Sequence, residues 1–232
     1  MLELGYISLT ILMTLIVFYI GNYTINKSYS DSSKRKKYKI QMIVGVLAFL
    51  LYESILGMSG FLEDMSFPPR FALMLIIPCF IFTGLFFRIK KDQEWIVNIP
   101  SHWLIYLQSF RIIVETLFVY SVAANILPSE VTIEGYNYDM VVGFSAILMG
   151  LVFIKFQTKK LAILWNYLGI LVLVSVIIVF MTSLFKPELY GSNIPLLTSK
   201  ATEIPYLYVA GYLMPLAVFG HVLSILNLKK TV

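Results

Sequence analysis

Apolar positions along this chain fall into seven long stretches, near residues 4–23, 39–58, 68–87, 103–126, 139–156, 161–184 and 205–227, separated by short polar segments. A bilayer core of about 30 Å is crossed by roughly 20 apolar residues in a helix, and each stretch is close to that length. The pattern predicts an all-α fold: a polytopic integral membrane helical bundle of seven transmembrane helices. The spans and their connectors nearly consume the chain, so 1–232 is read as a single transmembrane domain.

The polar segments add an orientation. Fourteen of the 18 Lys and Arg belong to alternate connections and the tail. These are Lys27 and Lys34–Lys39, Arg88–Lys91, Lys155–Lys160, and Lys229 with Lys230. The opposite connections hold Arg70, Lys186 and Lys200, and Arg111 lies within the fourth stretch. By the positive-inside bias the amino terminus is outside and the carboxyl terminus cytoplasmic. The expected location is a plasma or bacterial inner membrane. The first stretch has no basic residue ahead of it and is too long for a signal-peptide core, so it is read as a span. The sequons at Asn22 and Asn26 then fall on the cytoplasmic side, as chance matches.

Composition agrees with this picture and narrows the function. Mean hydropathy is +0.82 and only 13% of residues are charged, far from soluble averages of about a quarter charged. The net charge of +5 resides at span ends, which points to lipid and topology rather than nucleic acid. The basic segment Ser28–Lys37 is expected to be a polar, mobile loop near lipid headgroups. Asp92–Pro100, bracketed by Trp95 and Trp103, is expected to form a short interfacial helix that Pro100 separates from the fourth span. The outer connections, Pro128–Asp139 and Phe185–Pro205, read as a solvated loop and an irregular lid. Pro78 and Pro215 interrupt the third and seventh spans as packing kinks.

Ionisable groups at membrane depth carry the chemical signal. In the fourth span Gln108, Arg111 and Glu115 share one helix face, and Arg111 and Glu115 are spaced to pair. Glu53 in the second span lies at similar depth, roughly 20 Å from its cytoplasmic end. Asn166 and His221 form a second polar layer nearer the cytoplasm. An intramembrane arginine costs a few kcal/mol unless it faces protein or water, so these six residues are the candidate ligand-binding set. Arg111 would orient a ligand, Glu115 and Glu53 would hold a proton or cation, and Gln108, Asn166 and His221 would line the inner route. An ion pair or triad that only fixes packing accounts for the same residues.

The inventory limits other chemistries. One cysteine, Cys79, gives no disulfide or thiolate cluster and reads as a small buried hydrophobe. Two histidines, His102 and His221, are too few for two bis-histidine haems or a multi-histidine zinc site, and their different depths leave one shared haem possible only with a considerable helix displacement. The seventh stretch lacks the Schiff-base lysine of retinal proteins, and no phosphate loop or nucleophile elbow occurs. No metal or cofactor is expected, and catalytic residues are not identifiable. The leading expectation is a transporter or channel-like protein for a small polar or charged solute. A non-catalytic membrane subunit or receptor-like module is the alternative, and a membrane enzyme or haem-bearing redox protein the next. Expected partners are the bilayer, a small polar or ionic ligand, and a protein partner or second copy.

Overall fold

The computed structural model describes residues 1–91 and 93–231, so Asp92 and Val232, which the expected interfacial segment and cytoplasmic tail include, lie outside the described residues. Among these the protein is helical, with no strand. Seven helices are long and apolar enough to cross a membrane: α1 Leu2–Ser28, α2 Ser32–Met58, α3 Ala72–Lys90, α4 Ser101–Ala123, α5 Asp139–Phe156, α6 Lys159–Phe185 and α7 Val209–Lys230. They fit a multi-pass membrane protein. Exposed leucines and isoleucines, among them Leu47, Leu51 and Ile55 of α2 and Leu164, Leu168 and Leu171 of α6, cover outward faces that water would not favour.

Helix ends depart from expectation where local chemistry intervenes. The basic segment is not a loop: α2 begins at Ser32, and the Asp31 carboxylate accepts the Ser33 N–H at 2.8 Å as an amino-terminal cap. Lys and Arg are good helix formers, so the helix incorporates Lys34–Lys37 and leaves only Tyr29–Asp31 as the connection. Pro68 and Pro69 delay α3, and Asn125, in the left-handed region at φ 54°, closes off α4 early. Glu94–Asn98 does form a short helix, of the 3-10 kind, within the expected segment, and Pro100 stands at the start of α4 as expected.

α7 is the most enclosed helix and α2 the least: over their most apolar eighteen residues, 56% and 6% are buried. α7 packs against α3, α4 and α6, while α2 lies along α1 at the periphery. The principal apolar cluster, with Tyr6, Leu75, Phe110, Leu207 and Leu213, sits between α1, α3, α4, α6 and α7.

Both intrahelical prolines are preceded by a π-helical turn, Ala72–Ile76 before Pro78 and Val209–Leu213 before Pro215, and the two turns pack together. Proline has no N–H for the carbonyl four residues back, here those of Met74 and Gly211. The Tyr52 hydroxyl donates to the Met74 carbonyl at 3.0 Å, and the Cys79 thiol to the Gly211 carbonyl at 3.5 Å. Side chains from neighbouring helices thus satisfy what the prolines free, as an apolar surrounding requires.

Candidate functional site

Arg111 follows a single 3-10 turn, Gln108–Phe110, in the middle of α4. α5 approaches that break closely: a Cβ at Gly143 would stand 2.9 Å from the Ile112 nitrogen. The approach brings Asp139, the first residue of α5, to the Arg111 guanidinium, and the two form a buried ion pair. Arg111 is 1% exposed. Its counter-ion is therefore Asp139, not Glu115 one helical turn along, and Glu53 joins neither of them by an ion pair or hydrogen bond among the described residues.

The other edge of the guanidinium faces α7. Arg111 Nη1 donates to His221 Nε2 at 3.1 Å, and His221 Nδ1 lies 2.8 Å from Asn166 Oδ1. The Asn166 amide nitrogen donates to the Ala162 carbonyl and the Ser224 hydroxyl, which leaves Oδ1 as acceptor. His221 therefore carries its proton on Nδ1 and offers the Nε2 lone pair to the arginine. Gln108 Nε2 donates to the Ala217 carbonyl at 3.1 Å. Glycines make room for these side chains: Gly169 lies against the His221 ring and Gly220 against the Gln108 amide. Asp139, Arg111, His221, Asn166 and Ser224 form one buried chain that runs from α5 through α4 and α7 to α6.

Glu115 does something else. Its carboxylate accepts the Ile133 N–H at 3.0 Å and a hydrogen bond from the Asn137 amide. Asn137 also donates to the Val131 carbonyl and accepts the Asp139 N–H. The connection from Pro128 to Asp139, expected to be solvated, instead buries Val131, Thr132 and Asn137 beneath α4's end. A carboxylate inside the bundle can collect backbone and amide donors only from a segment folded over it, so Glu115 anchors that segment. The Phe185–Pro205 connection is irregular as expected, with 3-10 turns at Pro187–Tyr190 and Ser199–Thr202.

Glu53 stands apart. It is the one buried residue of α2, fully enclosed, and neither carboxylate oxygen has a hydrogen-bond partner among the described residues. It rests on Gly211 in the π-turn of α7, where a Cβ would fall 2.2 Å from its Oε1. His102 lies at the start of α4 beside Trp103 and Tyr106, remote from the polar chain. Cys79 is buried, as its reading as a small hydrophobe implies.

A cavity opens between α1, α3, α4, α6 and α7 and the two connections that end at α5 and α7. It measures about 90 Å³, several times the ~15 Å³ that one water needs on the same scale. Its walls are almost wholly apolar, with Leu75, Phe118, Leu173, Phe180 and Leu213 among them, and Arg111, Asn137 and Asp139 supply a polar end. Arg111 Nε has no hydrogen-bond acceptor although it is buried. Of the six candidate residues only Arg111 lines this space.

Asp139, Asn137 and Ser224 belong to the site without having been singled out from the sequence. A buried arginine demands a counter-ion, and the acidic residue opening the next span was the available signal for Asp139. Asn137 and Ser224 carried no signal separable from ordinary turn and helix usage. Comparison with known protein families, with curated proteins and with solved structures finds no match for this chain.

Proposed function

We propose that the protein is a multi-pass membrane protein that acts as a receptor-like binding module for a slim, uncharged lipophile bearing one hydrogen-bond acceptor. The observation that carries this is the apolar cavity ending on Arg111, whose Nε–H is buried without an acceptor. Apolar walls with a few convergent polar groups are the usual make-up of a small-molecule site. The charge of Arg111 is already balanced by Asp139, so an added carboxylate would be one negative charge in excess. A carbonyl, ester or ether oxygen would satisfy Nε at no such cost. The narrow volume favours a single chain over a phospholipid or a fused-ring molecule.

This reading differs from transport of a polar or charged solute. Gln108, Asn166 and His221, expected along an inner route, are fully buried and bonded across helices to one another's neighbours. What supports binding over transport is that these groups hold helices together and leave the apolar space to accept a guest.

The test uses methyl nonyl ketone, with undecane and decanoate as partners of the same chain class. In detergent or nanodiscs the ketone should raise the unfolding temperature, stabilising the fold by about 2.7 kcal/mol at a hundred times its dissociation constant. Undecane should do less and decanoate nothing. Ala210→Leu, which fills the cavity wall, should remove the ketone effect. Equal stabilisation by ketone and alkane would remove Arg111 from recognition, and no stabilisation by either would overturn the cavity as a binding site.

A further inference from the structure

α2 contributes a single buried residue to the bundle, and that residue is a carboxylic acid. A peripheral helix fixed by packing alone would bury leucines or valines there, as its neighbours do. Glu53 instead presents two oxygens without donor or counter-ion, packed directly on the backbone of Gly211. An ionised carboxylate in such a place is costly, and the surroundings restrict what could relieve it. The Met74 and Gly211 carbonyls, the nearest backbone acceptors freed by proline, already take Tyr52 and Cys79. The Tyr212 hydroxyl takes a hydrogen bond from Thr14 of α1 at 3.2 Å. Among the described residues no group of three or more His, Cys, Asp or Glu stands ready to hold a metal cation. A proton needs only one oxygen.

We propose that Glu53 is a proton-binding site, separate from the Arg111 chain, and that its occupancy sets the conformation of the π-turn Val209–Leu213 in α7. The step is simple: an O–H bond forms on a carboxyl oxygen with a proton from bulk water, and no electron moves. The titratable groups facing Glu53 are Tyr52 on its own helix, Cys79 on α3 and Tyr212 on α7. None is a cation, so nothing nearby holds the carboxylate charged. On losing the proton, the carboxylate must find water or a donor, and the element it rests on is the turn at Gly211. π-turns are local irregularities that commonly sit at functional sites and can relax toward ordinary helix.

The same turn has a second face. Val209, Ala210 and Leu213 line the cavity, while Gly211 meets Glu53. Protonation on one side of the turn therefore reshapes the wall on the other. Only this last link rests on the proposed ligand reading; the proton site is measured without any ligand, so failure of ketone binding leaves it standing.

Infrared spectra of ligand-free protein with isotope-labelled glutamate carboxyls, titrated with pH, test the site directly. Of the glutamic acid carbonyl bands that appear as pH falls, the component at the high frequency of a carboxyl without hydrogen bonds should vanish in Glu53→Gln. Hydrogen exchange supplies the coupling. After correction for intrinsic exchange, amides of Val209–Leu213 should change protection about tenfold across the titration, the factor that one pKa unit represents. Glu53→Gln, which keeps the shape of the neutral acid, should hold them at the low-pH value. A band that persists in Glu53→Gln and disappears in Glu115→Gln overturns the proposal, as does an exchange profile identical in wild type and variant. If Glu53→Gln fails to fold, the wild-type spectra decide: absence at every pH of the high-frequency band of an unbonded carboxyl overturns it. Exchange that follows sodium against choline at fixed pH also overturns it, in favour of a cation.

Discussion

At the scale of single residues, the membrane-depth charges divide into two arrangements that meet at Asn137 and one isolated acid. Arg111 is tied to Asp139 and His221, Glu115 to the connection above it, and Glu53 to nothing. Breaking a buried ion pair from one side leaves an uncompensated charge and costs about 3–5 kcal/mol. Arg111→Ala and Asp139→Ala should each destabilise by that order, and the double variant by clearly less than their sum. The coupling of Arg111 with Glu115 in the same mutant cycle should be smaller than that of Arg111 with Asp139, because Glu115 is tied to the ion pair through Asn137, which bonds both its carboxylate and the Asp139 N–H. Unfolding in detergent measures both, and an Arg111–Glu115 coupling as large as that of Arg111 with Asp139 would contradict the arrangement. His221→Phe keeps an aromatic ring, slightly larger than the imidazole, but strands an Arg111 donor and the Asn166 acceptor. At about 1–3 kcal/mol for each orphaned group, it should cost more than the substitution of an ordinary surface residue.

At the scale of elements, local chemistry decides how far each helix runs and what covers it. The Pro128–Asp139 connection turns tightly at Gly135, where a Cβ would lie 2.5 Å from the Glu130 Cα and 2.7 Å from two carbonyl oxygens. No flexible side chain can yield there. Gly135→Ala should therefore displace this connection and loosen the donors that Ile133 and Asn137 give Glu115, raising amide exchange at Ile133 severalfold while amides of the peripheral α2 stay unchanged. The proline turns obey the same logic in reverse. Tyr52→Phe removes the donor to the Met74 carbonyl and should destabilise by about 1 kcal/mol, the net value of one such bond. An unchanged unfolding midpoint would mean that water or a shifted turn replaces that hydroxyl.

At the scale of the whole molecule, insertion and sidedness remain a proposal, supported by seven apolar helices and by the alternation of basic connections. Ser30 and Ser129 are both exposed, at opposite ends of the helix bundle. With Cys79 replaced by Ala, an impermeant thiol reagent on intact cells should label Ser129→Cys and spare Ser30→Cys. The reverse result would invert every inner and outer assignment. The number of helices was legible because hydrophobic length alone decides whether a segment can span, and α5 falls at the very residues its apolar run marked. Helix ends were less legible: a cap at Asp31 and paired prolines before α3 act over a few residues and against the hydropathy trend.

The candidate residues were legible one by one and their grouping was not. Charge in an apolar run marks a position as enclosed, and Gln108, Arg111, Glu115, Glu53, Asn166 and His221 are all fully or almost fully buried. That much follows from the energy of polar groups in hydrocarbon, which depends on composition and depth alone. Which group meets which depends on how α5 crosses the 3-10 break of α4, how closely glycines admit α7, and how a connection folds back over Glu115. Those are contacts between segments far apart in the chain. Helical spacing places Glu115 one turn from Arg111, yet Asp139 is the partner, because an adjoining helix delivers its carboxylate directly to the guanidinium. Sequence by itself determined the helices and the enclosure of their charges; only the packing of one helix against another decided the pairs, the unpartnered acid and the apolar cavity.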